Sequence, residues 1–121
     1  YRADMIDPKL ALVVTEGEFD AALMDRLLLE AGLYNVSVAS IGNVSGARVL
    51  RWVTRLSLSK CVLLAFDGDE PGQRAADWWM KAIPSAYRLI PTGGKDITEM
   101  WMNDVNLVNW VKRVVLIKKA V

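Results

Sequence analysis

The sequence predicts an α/β fold with a mainly parallel, four-stranded sheet flanked by helices. Strand-like apolar segments alternate with helix-like segments along the 121 residues, which is the pattern of repeated β-α units. The segments 10–15 and 60–66 are almost continuously apolar, as strands buried on both faces of a parallel sheet are. Apolar residues make up 53% of the chain, so one domain of this length can close a hydrophobic core.

Four segments carry the strand signal. They are residues 10–15, 36–40, 60–66 and, more weakly, 87–90. Parallel strands cannot be joined by a tight turn, and the connection between them is usually a helix. The segments between these strands are therefore expected to be helices that pack on the sheet.

The first helix is predicted to follow the first strand directly. Phe19, Leu23, Leu27 and Leu28 recur at helical spacing and predict one face packed on the core. Gly32 supplies a stop, because glycine tolerates the left-handed conformation in which many helices end.

The second helix is predicted to begin at a Ser45 cap and to carry a basic stripe. Arg48, Arg51 and Arg55 repeat at positions that align on one helix face. Such a stripe suits contact with a phosphate backbone, and a solvated charged face has the same pattern. Both interpretations stay open at this point.

Three further helices are predicted in the second half of the chain, over 73–83, 97–103 and 106–119. Pro84 ends the first of them, because proline cannot continue a helix. Trp78 and Trp79 are adjacent on that helix, so only one of them can face the core.

Composition narrows the possible chemistry. The formal net charge of +1 selects neither nucleic acid nor a membrane as a partner. The chain has one cysteine, Cys61, and no histidine, which excludes disulfide scaffolds, Cys/His zinc sites and His-dependent hydrolysis within this sequence. Catalysis by these residues must therefore rest on carboxylates.

The sequence carries no membrane or export signal. No apolar run approaches the roughly 18–20 residues that a membrane helix needs, and no signal-peptide pattern stands at the start. We therefore expect a cytoplasmic protein without membrane contact. Because the chain does not begin with methionine, we expect residues 1–121 to be a single domain excised from a larger multidomain protein.

Acidic residues follow three of the predicted strands at the point where each strand ends. Glu16 follows the first strand, and Asp67 and Asp69 follow the third. Asp96 lies in the loop after the fourth strand. The carboxyl ends of parallel strands form the edge at which open α/β sheets bind ligands. We therefore predict that these carboxylates share one site.

The Asp67-Gly68-Asp69 segment has the spacing of a site for a hard cation. Alternate side chains of an extended turn point the same way, so both carboxylates can converge on one Mg²⁺ or Mn²⁺. Carboxylates held a few ångströms apart repel each other unless a divalent ion neutralises them. The alternative is that Asp67 and Asp69 cap the third helix. For Glu18 and Asp20, near the start of the first helix, capping explains the residue type at least as well as chemistry does.

The segment Gly93-Gly94-Lys95 is similar to part of a phosphate-binding loop. The full pattern requires a glycine at position 89 and a hydroxyl at position 96, where this chain has Leu89 and Asp96. Lys95 is a candidate phosphate contact beside the acidic edge, and a solvated surface lysine is the alternative.

Together these motifs resemble the Toprim domain. The residues that carry the resemblance are Glu16-Gly17 after the first strand, Asp67-Gly68-Asp69 with Pro71-Gly72 after the third, and Gly94-Lys95-Asp96. Bacterial-type primases, type IA and type II topoisomerases, overcoming-lysogenization-defect nucleases and RecR-type recombination mediators share this domain. The resemblance covers nearly the whole chain and is strongest to the catalytic Toprim domain of DNA primases from bacteria, phages and mobile elements. It implies a Toprim-like, Rossmann-like sheet.

The resemblance implies a primase-type nucleotidyltransferase that makes RNA primers for DNA replication. In that family the DxD pair and a nearby acidic residue bind divalent metal, which carries over to Asp67, Asp69 and Asp96 with Mg²⁺ or Mn²⁺. The first-strand glutamate, here Glu16, is implied as general acid or base and as a further metal-binding residue of the same site, and Asp67 and Asp69 are implied as catalytic with it. The implied partners are a single-stranded DNA template, nucleoside triphosphates, flanking domains and a replicative helicase. Thr98 stands where cellular primases often have a further aspartate, which leaves the number of metal ions open.

Other functions could use the same acidic site. With an activated water it would serve a Toprim nuclease of the overcoming-lysogenization-defect type, which needs no nucleotide pocket. A non-catalytic scaffold, as in the RecR-type mediator, would not need like charges that cost stability. A topoisomerase places its attacking tyrosine on a separate domain. A haloacid-dehalogenase-type phosphatase has Thr or Val after its DxD motif, where this chain has Glu70-Pro71.

Overall fold

The computed structural model describes residues 10–41 and 50–120, with the side chains of 50–52 and 116–120 left out. In these residues, four strands form one parallel sheet in the order β2-β1-β3-β4. The strands are β1 (Ala11–Thr15), β2 (Val36–Ser40), β3 (Val62–Leu64) and β4 (Ala86–Arg88). The α/β class and the parallel four-stranded sheet expected from the sequence are confirmed.

Helices connect and follow the strands. They are α1 (Glu18–Glu30), α2 (Leu50–Ser57), α3 (Glu70–Ala82), α4 (Ile97–Met102) and α5 (Leu107–Ala120). Gly32 follows α1 with a φ of 73°, the left-handed conformation that its residue type predicts. The predicted Ser45 start of the second helix lies outside the described residues. Among the described residues, no helix combines the length and apolar character that crossing a membrane requires.

The sheet is covered on both faces, and alternate strand residues face opposite sides. Val13 and Leu63 pack in one cluster with residues of α1, α4 and α5. Leu12 and Leu64 pack in the other cluster with residues of α2 and α3, where Trp79 is fully buried. This alternation of buried residues is what near-continuous apolar strands predict for a parallel sheet between two helical layers.

One core prediction is wrong. Phe19 was expected to face the core, and its side chain is 89% exposed. The buried face of α1 is set by Ala21, Met24 and Leu28. Phe19 lies two positions before Ala21, which is roughly 200° around the helix and so on its far side.

The strand register aligns the segments that leave the sheet. Val14 of β1 pairs with Leu64 of β3, and Leu64 pairs with Arg88 of β4. Because all three strands are parallel and end at the same level, the residues that follow them emerge side by side. The segments that begin at Glu16 and Asp67, and the loop that leads to Asp96, therefore share one edge of the sheet.

Candidate metal centre

Three carboxylates converge at this edge. One carboxylate oxygen from each of Asp20, Asp67 and Asp96 lies within 4.8 Å of the others. They line a shallow pocket of about 300 Å³ together with Glu16, Gly17 and Phe19. The sequence predicted that Glu16, Asp67, Asp69 and Asp96 would share one site. The fold places Glu16, Asp67 and Asp96 at one pocket, and Asp69 is not among the residues that line it.

Two hydrogen bonds hold the β3 loop against its neighbours. The backbone N–H of Asp67 donates to Glu16 Oε1 at 3.0 Å. The backbone N–H of Gly68 donates to the carbonyl of Lys95 at 2.6 Å. A Cβ at Gly68 would stand 3.4 Å from the same Lys95 carbonyl, so the two loops approach closely. These contacts set the position of Asp67 between Glu16 and Asp96.

Arg88 holds the segment that follows β3 through hydrogen bonds to its backbone carbonyls. Its half-buried guanidinium donates to the carbonyls of Leu64, Phe66 and Asp67, the last two at 2.7 and 2.8 Å. It also donates to Gln73 Oε1 on α3 at 3.3 Å. One side chain thus satisfies three carbonyls where β3 leaves the sheet, and a positive charge lies behind the acidic pocket.

Asp20 is a site residue that the sequence left open between capping and chemistry. It lies on α1, is 9% exposed, and its Oδ1 accepts from the backbone N–H of Thr98 at 3.2 Å and from Thr98 Oγ1 at 2.6 Å. The N-terminus of α1 has no side-chain cap. Asp20 therefore links α1 to α4 and contributes an oxygen to the cluster. No local sequence pattern separates this role from helix capping, because the partner of Asp20 lies on another helix.

The DxD pair divides between two roles. Asp69 Oδ1 accepts from the backbone N–H of Gly72 at 2.8 Å and caps α3, so the capping alternative holds for Asp69. Asp67 joins the three-carboxylate cluster instead. Asp96 has both roles: it belongs to the three-carboxylate cluster, and its Oδ1 caps α4 by accepting from Glu99 N–H at 2.8 Å.

The pocket disfavours the ionised form of two of its carboxyl groups, those of Glu16 and Asp67. Burial, reinforced by the negative charges of Glu16, Asp96, Asp20 and Asp69, raises the pKa of Asp67 to about 6. Burial also raises the pKa of Glu16, although the hydrogen bond from Asp67 N–H and the charge of Arg88 oppose this shift. Both shifts mean that the apo pocket holds its full negative charge at a cost in free energy.

The basic residues proposed as phosphate contacts do not line this pocket where the structure describes them. Lys95 is exposed, and its backbone N–H donates to Glu99 Oε1 at 3.2 Å. Arg55 is an exposed residue in the last turn of α2. Arg51 is described by its backbone alone, and Arg48 lies outside the described residues. A phosphate contact by these four residues stays a prediction.

The donor set fits a hard divalent cation. All the candidate ligand atoms are carboxylate oxygens, which Mg²⁺, Mn²⁺ and Ca²⁺ prefer. The raised pKa of Asp67 reflects burial first and then repulsion by the neighbouring carboxylates, and a bound cation would relieve that repulsion. Asp20, Asp67 and Asp96 could hold such an ion, with Glu16 and Asp69 beside them.

The fold and the pocket together define an α/β domain with an acidic centre at the carboxyl ends of its strands. The Toprim-like family model matches residues 13–101, a range that contains every residue of this centre. The chain belongs to the Toprim-like family.

Solved structures show the same fold. The chain is similar to the primase fragment of the bacteriophage T7 primase-helicase protein, with a TM-score of 0.73 and 22% identity over 93% of this chain. It is also similar to a chain in the complex of the bacteriophage T7 lagging-strand DNA polymerase with primase domains bound to an RNA/DNA hybrid and dTTP. There the TM-score is 0.63, with 24% identity over 83% of this chain. The matched region is 46% and 51% of those chains, so this chain spans about half of their length. No curated protein matches the sequence.

Proposed function

We propose that this domain catalyses metal-dependent phosphoryl transfer on nucleic acid, as the Toprim domain of a DNA primase that synthesises RNA primers. The observation that carries the proposal is the convergence of Asp20, Asp67 and Asp96 within 4.8 Å beside Glu16. The likeness of the fold to the T7 primase fragment supports the choice of primase within the family.

The residues would divide the work as follows. Asp67 and Asp96, with Asp20, would hold Mg²⁺ or Mn²⁺, and Asp69 would add an oxygen, since its helix cap uses Oδ1 alone. When bound, the ion supplies charge that binds the triphosphate and stabilises the leaving pyrophosphate. Glu16, whose pKa burial raises, would hold or accept a proton near the attacking 3′-hydroxyl.

The proposal includes partners outside this chain. A single-stranded DNA template and nucleoside triphosphates are the substrates of primer synthesis. We propose that residues 1–121 form one Toprim domain of a longer protein whose flanking domains select the template or recruit a helicase. The T7 chains that share the fold are about twice as long, which is consistent with this arrangement.

A reaction assay on the full-length protein that carries this domain tests the proposal. With template, ribonucleotides and Mg²⁺ we expect short RNA products, lost in Glu16→Gln and kept in Glu30→Gln, an exposed residue at the other end of α1. Cleavage of the strand without nucleotides would instead identify a Toprim nuclease. Neither reaction under any divalent metal would leave a scaffold role and contradict the proposal.

A further inference from the structure

An exposed aromatic ring stands at the mouth of the acidic pocket. Phe19 lines the pocket with Asp20, Asp67 and Asp96, and its side chain is 89% exposed. No other large hydrophobic side chain among the described residues is exposed to that extent. The core does not need it, because the buried face of α1 is formed by other residues.

The size of the pocket separates what it can hold from what must lie outside. At about 300 Å³ it is at the lower limit of small-molecule sites, and its lining is dominated by carboxylates. A cation with a phosphate group suits that volume and charge. The sugar and base of a nucleotide would then extend past the rim, where Phe19 offers an apolar face to water.

We propose that Phe19 is a platform on which a nucleobase stacks while its phosphate occupies the acidic pocket. Aromatic side chains bind bases of any sequence by stacking, and burial of an exposed ring under a base removes apolar surface from water. This inference rests on the proposed function, since it requires a nucleic-acid substrate. It assigns that substrate a second contact besides the metal centre.

Binding measurements on four variants test it. The probes are a fluorescein-labelled single-stranded oligothymidylate, the same strand with abasic sites, and free dTTP, each with Mg²⁺. Phe19→Ala should weaken binding of the intact strand or of dTTP about 5- to 150-fold, the range reported for one stacked base. Phe19→Trp should bind as the wild type does, and Phe19→Leu should lose most of the affinity because it lacks a π face. Leu29→Ala, at the other end of the same helix and 50% exposed, should change nothing.

A comparison of the strand with free dTTP identifies the source of the stacked base. A loss confined to dTTP indicates the incoming nucleotide, and a loss confined to the strand indicates a base of the polymer. The abasic strand should bind all variants equally. The inference is overturned if Phe19→Ala or Phe19→Leu binds both probes as the wild type does, if the abasic strand is weakened equally, or if the wild type binds neither probe.

A separate readout distinguishes this inference from the proposed function. Titration with Mg²⁺ alone should give the same affinity in Phe19→Ala as in the wild type, because Phe19 offers no ligand atom. If Mg²⁺ binds and the Phe19 variants bind the probes normally, the platform alone fails. If Mg²⁺ does not bind the wild type, the proposed function fails with it.

Discussion

Asp67 is a partly buried carboxylate with four acidic neighbours, Glu16, Asp96, Asp20 and Asp69. Its pKa is raised to about 6 by burial and by Glu16, Asp96, Asp20 and Asp69. Between about pH 4 and pH 6, Asp67 therefore keeps a proton in the folded state that it has lost in the unfolded state. In the absence of metal, the contribution of Asp67 to the free energy of unfolding is greatest below about pH 4 and is lost as the pH rises through 6.

Asp67→Asn should remove most of this dependence. In chelator at pH 7.5 we expect the variant to be more stable than the wild type by on the order of 1 kcal/mol, after allowance for solvent screening of a half-exposed group. Urea unfolding at about pH 4.5 and 7.5 measures this difference in the free energy of unfolding. Asp77→Asn, an exposed position on α3, is the matched control. Equal stability of Asp67→Asn and wild type at pH 7.5 would contradict the proposed repulsion.

The role of Asp20, which the sequence left open, and that of Arg88, which it did not predict, depend on distant partners. Asp20 bonds Thr98, 78 positions away, and Arg88 bonds carbonyls 21 to 24 positions away. No local sequence pattern predicts such long-range contacts. Glu16, Asp67 and Asp96 could be predicted because each directly follows a strand, and strand order alone brings them to one edge.

At the scale of elements, Asp69 has one role in the stability of α3 and a second at the candidate metal centre. Its carboxylate caps α3, and its charge contributes to the raised pKa values of Glu16 and Asp67. A capping side chain needs an acceptor oxygen, whereas a cation site needs the negative charge. Two substitutions can therefore separate the two roles.

Asp69→Asn keeps an acceptor and should leave the unfolding free energy within a few tenths of a kcal/mol, whereas Asp69→Ala should cost about 1 kcal/mol. Both should weaken Mg²⁺ binding, by roughly tenfold in the case of Asn. Chemical denaturation and calorimetry measure the two effects. Unchanged Mg²⁺ affinity in Asp69→Asn would show that Asp69 is a helix cap and no ligand.

The elements themselves were mostly predictable, for identifiable reasons. Buried apolar runs gave β1 and β3, and glycine at position 32 gave the end of α1. The orientation of Phe19 was not predictable from its spacing with Leu23 and Leu27. Those two residues are only partly buried, so the face that they define is displaced from the face that packs on the sheet.

At the scale of the whole molecule, the parallel topology creates the site. Strands β1, β3 and β4 are adjacent in the sheet and contribute Glu16, Asp67 and Asp96 from segments far apart in sequence. The helical layers bury the strands that carry these loops, and the acidic residues lie at the carboxyl ends of those strands. We therefore propose that this edge is a divalent metal centre.

Calorimetric titration of Mg²⁺ and Mn²⁺ into the chain tests that claim most directly. We expect saturable binding in the wild type that is lost in Asp67→Asn and in Asp96→Asn, whose amide oxygen preserves the cap of α4. Asp77→Asn should bind as the wild type does. Absence of saturable binding at millimolar metal, or binding that both site variants retain, would contradict the account.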